Sequence, residues 1–112
     1  MKYSKTFVVK GSIERCFDIV QDYFQSIKFR VKNRSRPNLL VLKRGSGLGS
    51  IMSFSIEKYK TILTIYFSQI EDKVSVLCEY DIDGYLTLIL PDMKSTLEAE
   101  VEKLKYILET SL

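Results

Sequence analysis

An α+β fold, with one curved antiparallel sheet packed against two helices, is what this chain of 112 residues predicts. Three observations carry the prediction. Short apolar stretches alternate with polar residues through the middle of the chain, the period of half-buried strands. One stretch near each end instead repeats its apolar residues every three or four positions, as amphipathic helices do. The connections between the strand-like stretches are short and rich in Gly, Asn, Asp and Pro, which favours antiparallel neighbours over long crossovers. The expected order is strand, helix, about five strands and a terminal helix, forming a single domain over residues 1–112 with about six strands in all.

The first segment, Lys2 to Lys10, sets Tyr3, Phe7 and Val9 on one face and Ser4 and Thr6 on the other. Gly11 breaks it. Ser12 is a good N-cap, Glu14 suits the first turn, and Ile13, Cys16, Phe17, Val20, Phe24 and Ile27 then share one helical face, so a helix runs to near Ser26. From Phe29 the period returns to two, and the polar run Asn33 to Asn38 with Pro37 predicts a turn. Leu39 to Arg44 is the next strand and Gly45 to Gly49 the next turn. Ser50 to Tyr59 is expected as a strand with Met52, Phe54 and Ile56 on one face. Lys60 to Ile70 and Lys73 to Ile82 form a hairpin about Glu71 and Asp72, with Leu63, Ile65 and Phe67 facing the same way as Val74, Val76, Cys78 and Tyr80. Tyr85 to Leu90, ahead of Pro91, fits a short edge strand or a packed connection. Ser95 with Glu98 reads as a capping box, followed by the stripe Leu97, Val101, Leu104 and Leu108 with Glu98, Glu102, Lys105 and Glu109 on the other side.

Composition excludes several chemistries. Histidine is absent, which removes the usual general base, the commonest metal ligand and serine–histidine or cysteine–histidine catalysis. Cys16 and Cys78 are widely separated, with neither zinc nor redox spacing, and their apolar neighbours make them reduced core residues. No catalytic residue, metal or cofactor is expected. No basic-then-apolar leader opens the chain and no apolar run is long enough to cross a bilayer, so a cytoplasmic location is expected.

The order of elements resembles the helix-grip fold of the START-like (SRPBCC) superfamily. The opening Phe7 to Phe17 segment and the terminal Leu97 to Leu108 stripe are its most recognisable parts. The resemblance covers the whole chain as an order of elements and rests on no motif, and the chain is short for a member. It implies an apolar ligand held between the sheet and the terminal helix. Tyr3, Phe7, Met52, Phe54, Leu63, Ile65, Phe67, Cys78, Tyr80 and Leu104 are the residues this would recruit, with Tyr3 and Tyr80 as polar handles. The plain alternative is that they are a filled core. A cyclase-like enzyme shaping a substrate in that pocket, without metal or cofactor, is a further alternative.

Charge offers a second candidate. Between Asp22 and Glu57 there is no acid, yet Lys28, Arg30, Lys32, Arg34, Arg36, Lys43 and Arg44 all fall there. The first five alternate strictly and would share one face of an extended strand, a row able to meet the phosphates of nucleic acid or of a phosphate-bearing ligand, with Arg44 beside it. The solvent face of an edge strand explains the same pattern. Gly45 to Gly49 lacks the following helix that a phosphate-cradling loop requires and reads as a hairpin turn. Glu79 and Asp81 share an outward strand face and read as a solvated acidic face. Ile62, Thr64, Tyr66 and Leu77 are expected on the outer sheet face, an apolar patch suited to a homodimer.

Overall fold

A computed structural model describes residues 2–45, 60–82 and 93–112. Its elements are β1 (Lys2–Lys10), α1 (Ile13–Ser26), β2 (Arg30–Ser35), β3 (Leu39–Arg44), β4 (Thr61–Ile70), β5 (Lys73–Ile82) and α2 (Met93–Ser111). The five strands form one antiparallel sheet in the order β1-β5-β4-β3-β2. About six strands were expected, and the difference is Ser50 to Tyr59, with Met52, Phe54 and Ile56, which lies outside the described residues, as do Tyr85 to Leu90 and most of the Gly45 to Gly49 turn.

Register explains the two faces. Tyr3, Phe7 and Val9 of β1 lie opposite Tyr80, Val76 and Val74 of β5, and Leu63, Ile65 and Phe67 of β4 lie opposite Tyr80, Cys78 and Val76. Leu40 and Leu42 of β3 continue the same rows. These side chains and the apolar stripes of both helices make one core. The expected Leu63, Ile65, Phe67, Val76, Cys78 and Leu104 are all buried in it, as are both cysteines, which are free thiols. Phe17 of α1 packs on Phe67 with ring centroids 5.3 Å apart.

At one end of the core the chain turns from β1 into α1 through Gly11, whose φ of +147° suits glycine and whose absent Cβ would stand 3.0 Å from the Leu112 side chain. Ser12 caps α1 by accepting from the Arg15 N–H. Gln69 then joins the layers: its Oε1 accepts the Ile13 N–H at 2.9 Å, and its Nε2 donates to the carbonyls of Gly11, Glu71 and Lys73.

Three sequence expectations change. The polar run Asn33 to Ser35 belongs to β2, and the turn is confined to 36–38, because β2 is an edge strand whose pairing to β3 does not require apolar side chains. The α2 helix begins at Met93, so Ser95 sits inside the first turn and is not the N-cap of a capping box. The reason is packing: Met93 is four residues before Leu97 and extends the buried stripe backwards by a turn. Finally, the strict alternation of the basic row fails, because a β-bulge lies between Val31 and Asn33. The extra residue flips the faces of the residues after it. Arg30 pairs with Lys43 on the outer face, whereas Arg34 pairs with inward Leu40 and reaches Gln21 of α1.

Candidate functional site

The inner face is apolar along most of its length and polar at one end. In β3 the inward positions run Leu40, Leu42, Arg44, so strand parity itself sends a guanidinium into the core. Arg44 lies opposite Thr61 of β4, which lies opposite Ile82 of β5, and all three are buried. On α2, Glu100 falls three residues after Leu97 and four before Leu104, within the same inward stripe. The two opposite charges therefore meet: Arg44 Nη1 donates to Glu100 Oε2 at 2.8 Å and Nη2 to Oε1 at 3.3 Å. Arg44 Nη1 also donates to the Ile27 carbonyl at 3.3 Å.

Aromatic side chains close around the pair. The α1 helix ends at Ser26, Lys28 takes a left-handed φ of 80°, and the Phe29 N–H turns back to the Phe24 carbonyl. That reversal puts the Phe29 ring against the guanidinium, with Cζ 4.2 Å from its centroid. The Tyr80 hydroxyl donates to Glu100 Oε1 at 3.2 Å, and the Tyr23 hydroxyl donates to the Glu100 backbone carbonyl at 2.7 Å. Tyr3 packs beside Tyr80 with ring centroids 6.0 Å apart. Arg44 is 1% exposed, and the Glu100 side chain 14%. One nitrogen is left without a partner: Arg44 Nε is buried and has no hydrogen-bond partner among the described residues.

Protonation states follow from burial. Burial first, and the Glu100 carboxylate second, push the Tyr23 phenol up to about 12 and raise Tyr80 further still. Both phenols therefore stay protonated at neutral pH and act as donors, which fixes the direction of both hydrogen bonds. Burial likewise pushes the thiols of Cys16 and Cys78 up to about 12, so neither is a nucleophile.

Of the residues expected around a ligand, Phe7, Leu63, Ile65, Phe67, Cys78, Tyr80 and Leu104 share the core and Tyr3 lies half-buried at its polar end, while Met52 and Phe54 lie outside the described residues. The basic row does not form one surface. Lys28 is in the turn after α1, Arg30 and Lys32 are exposed, and Arg36 pairs with Asp18 of α1 at 2.9 Å while its guanidinium lies 5.7 Å from the Phe17 ring centroid. Arg44, expected to meet an external anion, is buried against Glu100. Glu100 is the residue that sequence reasoning missed. The available signal was a lone carboxylate inside the Leu97–Leu104 stripe, matched by a lone cation at an inward strand position.

On the outer face, Tyr66 and Leu77 lie directly opposite each other, with Ile62 and Thr64 on the same face. Tyr66 is exposed and the other three are half-buried. Lys2, Ser4, Ile62, Thr64, Glu79 and Asp81 of that face, with Tyr3 and Tyr80, line a cavity of about 460 Å³. Glu79 and Asp81 are exposed, as expected. No helix among the described residues is long and apolar enough to cross a membrane.

No protein-family model matches the chain, and no curated protein matches it. Solved structures do. Protein MLL2253 of Mesorhizobium loti superposes with a TM-score of 0.72 at 7% identity, covering 100% of this chain and 99% of that one. The Aha1 dimer of Colwellia psychrerythraea matches with a TM-score of 0.67 at 12% identity over 97% of this chain and 96% of that one. A conserved protein of Geobacillus kaustophilus gives 0.68 at 9% identity, with 98% and 93% covered. The fold they share with this chain is the α+β helix-grip arrangement, an antiparallel sheet packed against a long C-terminal helix. At these identities the likeness is one of fold, and the helix gripped by the sheet is α2, which carries Glu100.

Proposed function

We propose that this protein binds a small apolar or amphipathic molecule between the sheet and α2 and does so without catalysis. The observation that carries the reading is the Arg44–Glu100–Tyr80 cluster, a buried polar group at one end of an otherwise apolar layer, with a donor that meets no acceptor among the described residues. Binding sites are apolar with a few placed polar groups, and this is such a combination. The ligand would lie against the end of the core nearest Tyr3, Tyr80 and Arg44, since that is where the polar groups gather and where Tyr3 and the Glu100 side chain keep some exposure. Native mass spectrometry of the purified protein, compared with the denatured extract, tests it: a small molecule that travels with the folded protein and is released on unfolding is expected. Folded protein at the bare chain mass, together with no uptake of hydrophobic dye, would refute it.

A second reading concerns self-association. Val8, Tyr66 and Ile70 are exposed on the outer sheet face, flanked by half-buried Leu39, Val41, Ile62 and Leu77. Such a face suits a homodimer, and the structural neighbour from Colwellia psychrerythraea is described as a dimer. Light scattering should give twice the chain mass of 13.0 kDa, and Tyr66→Lys should return it to one chain mass. A monomer at micromolar concentration would sink this reading. The nucleic-acid alternative is less favoured, because the bulge and the Asp18 pairing divide the basic row.

A further inference from the structure

The orphan donor of Arg44 specifies what kind of ligand the site takes. A guanidinium offers its donors in one plane. Here Nη1 and Nη2 are engaged by Glu100 and Nη1 also by the Ile27 carbonyl, and Cζ lies over the Phe29 ring, 4.2 Å from its centroid. Of the three guanidinium nitrogens only Nε has no partner among the described residues, and it is buried. A buried charged donor without an acceptor is costly, and native proteins leave such groups only where something else supplies the partner.

Charge then narrows the partner. The positive charge of Arg44 is already met by the Glu100 carboxylate, so the cluster is neutral as a unit. A ligand carboxylate or phosphate reaching Nε would bring a second anion into the same buried space as Glu100, and an uncompensated charge is expensive there. A carbonyl oxygen accepts the same hydrogen bond and adds no charge. We propose that Arg44 Nε is the polar anchor of the site and that the ligand is an uncharged molecule with an apolar body and a carbonyl-type oxygen, a ketone, ester or amide and not a fatty acid. This rests on the binding reading above and names the class of ligand within it.

Three probes of matched chain length separate the outcomes: methyl nonyl ketone, undecanoate and undecane. Each is titrated against a hydrophobic dye, while nuclear magnetic resonance follows the Arg44 side-chain Nε–H signal, assigned through bonds in isotopically labelled protein. The ketone should bind about tenfold or more tightly than undecanoate at neutral pH, as one added hydrogen bond without charge burial implies, and should move the Nε–H signal. Arg44→Lys, which keeps the charge and removes Nε, should weaken the ketone and leave undecane unchanged. If that variant does not fold, the signal in the unaltered protein still decides. Undecanoate binding as tightly as the ketone, or ketone binding with the Nε–H unmoved, overturns the anchor while leaving the pocket. Failure of all three probes to bind overturns the pocket and the anchor together.

Discussion

Replacing Glu100 by Leu tests the buried cluster most directly. The change leaves the Arg44 guanidinium, 1% exposed, without its counter-ion and removes the acceptor of the Tyr80 hydroxyl. Breaking a buried ion pair by removing one partner costs about 3 to 5 kcal/mol. Because the Glu100 side chain keeps 14% exposure at the rim, the lower end applies. The lost tyrosine hydrogen bond adds about 1 kcal/mol. A loss of about 4 kcal/mol is therefore expected, a large share of the roughly 5 to 15 kcal/mol that holds a domain together. The double variant Arg44→Met with Glu100→Leu removes both charges and should recover most of that loss, ending within about 1 to 2 kcal/mol of the unaltered protein, since apolar replacements of a buried pair are often neutral. Urea titrations of the unaltered protein, each single variant and the double variant give the coupling energy. A Glu100→Leu cost under about 1 kcal/mol, or simple additivity in the double variant, would show that the pair is hydrated and not a buried anchor.

Phe67→Ala should cost about 3 to 5 kcal/mol in the same titration, because it empties a buried position against Phe17; a cost under about 1 kcal/mol would place β4 the wrong way round. Asp18→Asn, which breaks an exposed pair with Arg36, should cost less than about 1 kcal/mol, and a larger loss would contradict the surface character of that contact. Stability should be flat between about pH 7 and pH 8 and fall above about pH 9, because the unfolded thiols of Cys16 and Cys78 lose protons near 9.0 that the native state holds until about 12. The native state then carries the extra protons, so the loss runs at up to about 1.4 kcal/mol per pH unit for each thiol. A urea midpoint that holds or rises at about pH 10 would contradict this.

Period and parity made most of the fold legible. The run from Ile13 to Phe24 and the alternation from Leu63 to Phe67 each have one physical solution, and the structure adopts it. Two kinds of feature escaped. A bulge adds one backbone residue without any change in side-chain chemistry, so nothing in Arg30 to Arg36 announces that Arg34 and Arg36 turn toward α1. The helix start at Met93 was hidden because Ser95 and Glu98 have the right chemistry for a cap, and only the burial of Met93 outweighs it. The site was legible in its apolar part and illegible in its polar part for a related reason. Arg44 reads as one more member of a basic run and Glu100 as one of several acids on α2, and only the tertiary register of β3 against α2 makes them partners.

The contrast between the two ends of the sheet–helix layer supports the proposal that ligand binds at the Arg44 end. At the other end Gln69 does a comparable job, linking β4 to the start of α1, and its amide oxygen and nitrogen are both in use. A polar group that serves only to lock the fold should have its polar atoms bonded, as exposed Gln69 does, and the demand is stronger for a buried group, where an unused donor costs stability that selection can recover with a neighbouring carbonyl or hydroxyl. Arg44 has been given an acid, a backbone carbonyl and an aromatic face, yet its Nε meets no acceptor among the described residues. A fold-locking role accounts for the Glu100 contact and, among the described residues, for no contact of the Nε–H. A role in binding accounts for both, since the acid holds the guanidinium in place while the free edge meets the ligand. Gln69→Leu should therefore lower stability without changing the affinity for methyl nonyl ketone, whereas Arg44→Lys should change affinity. If both variants changed ketone affinity equally at matched stability, the distinction between a structural end and a binding end would fail.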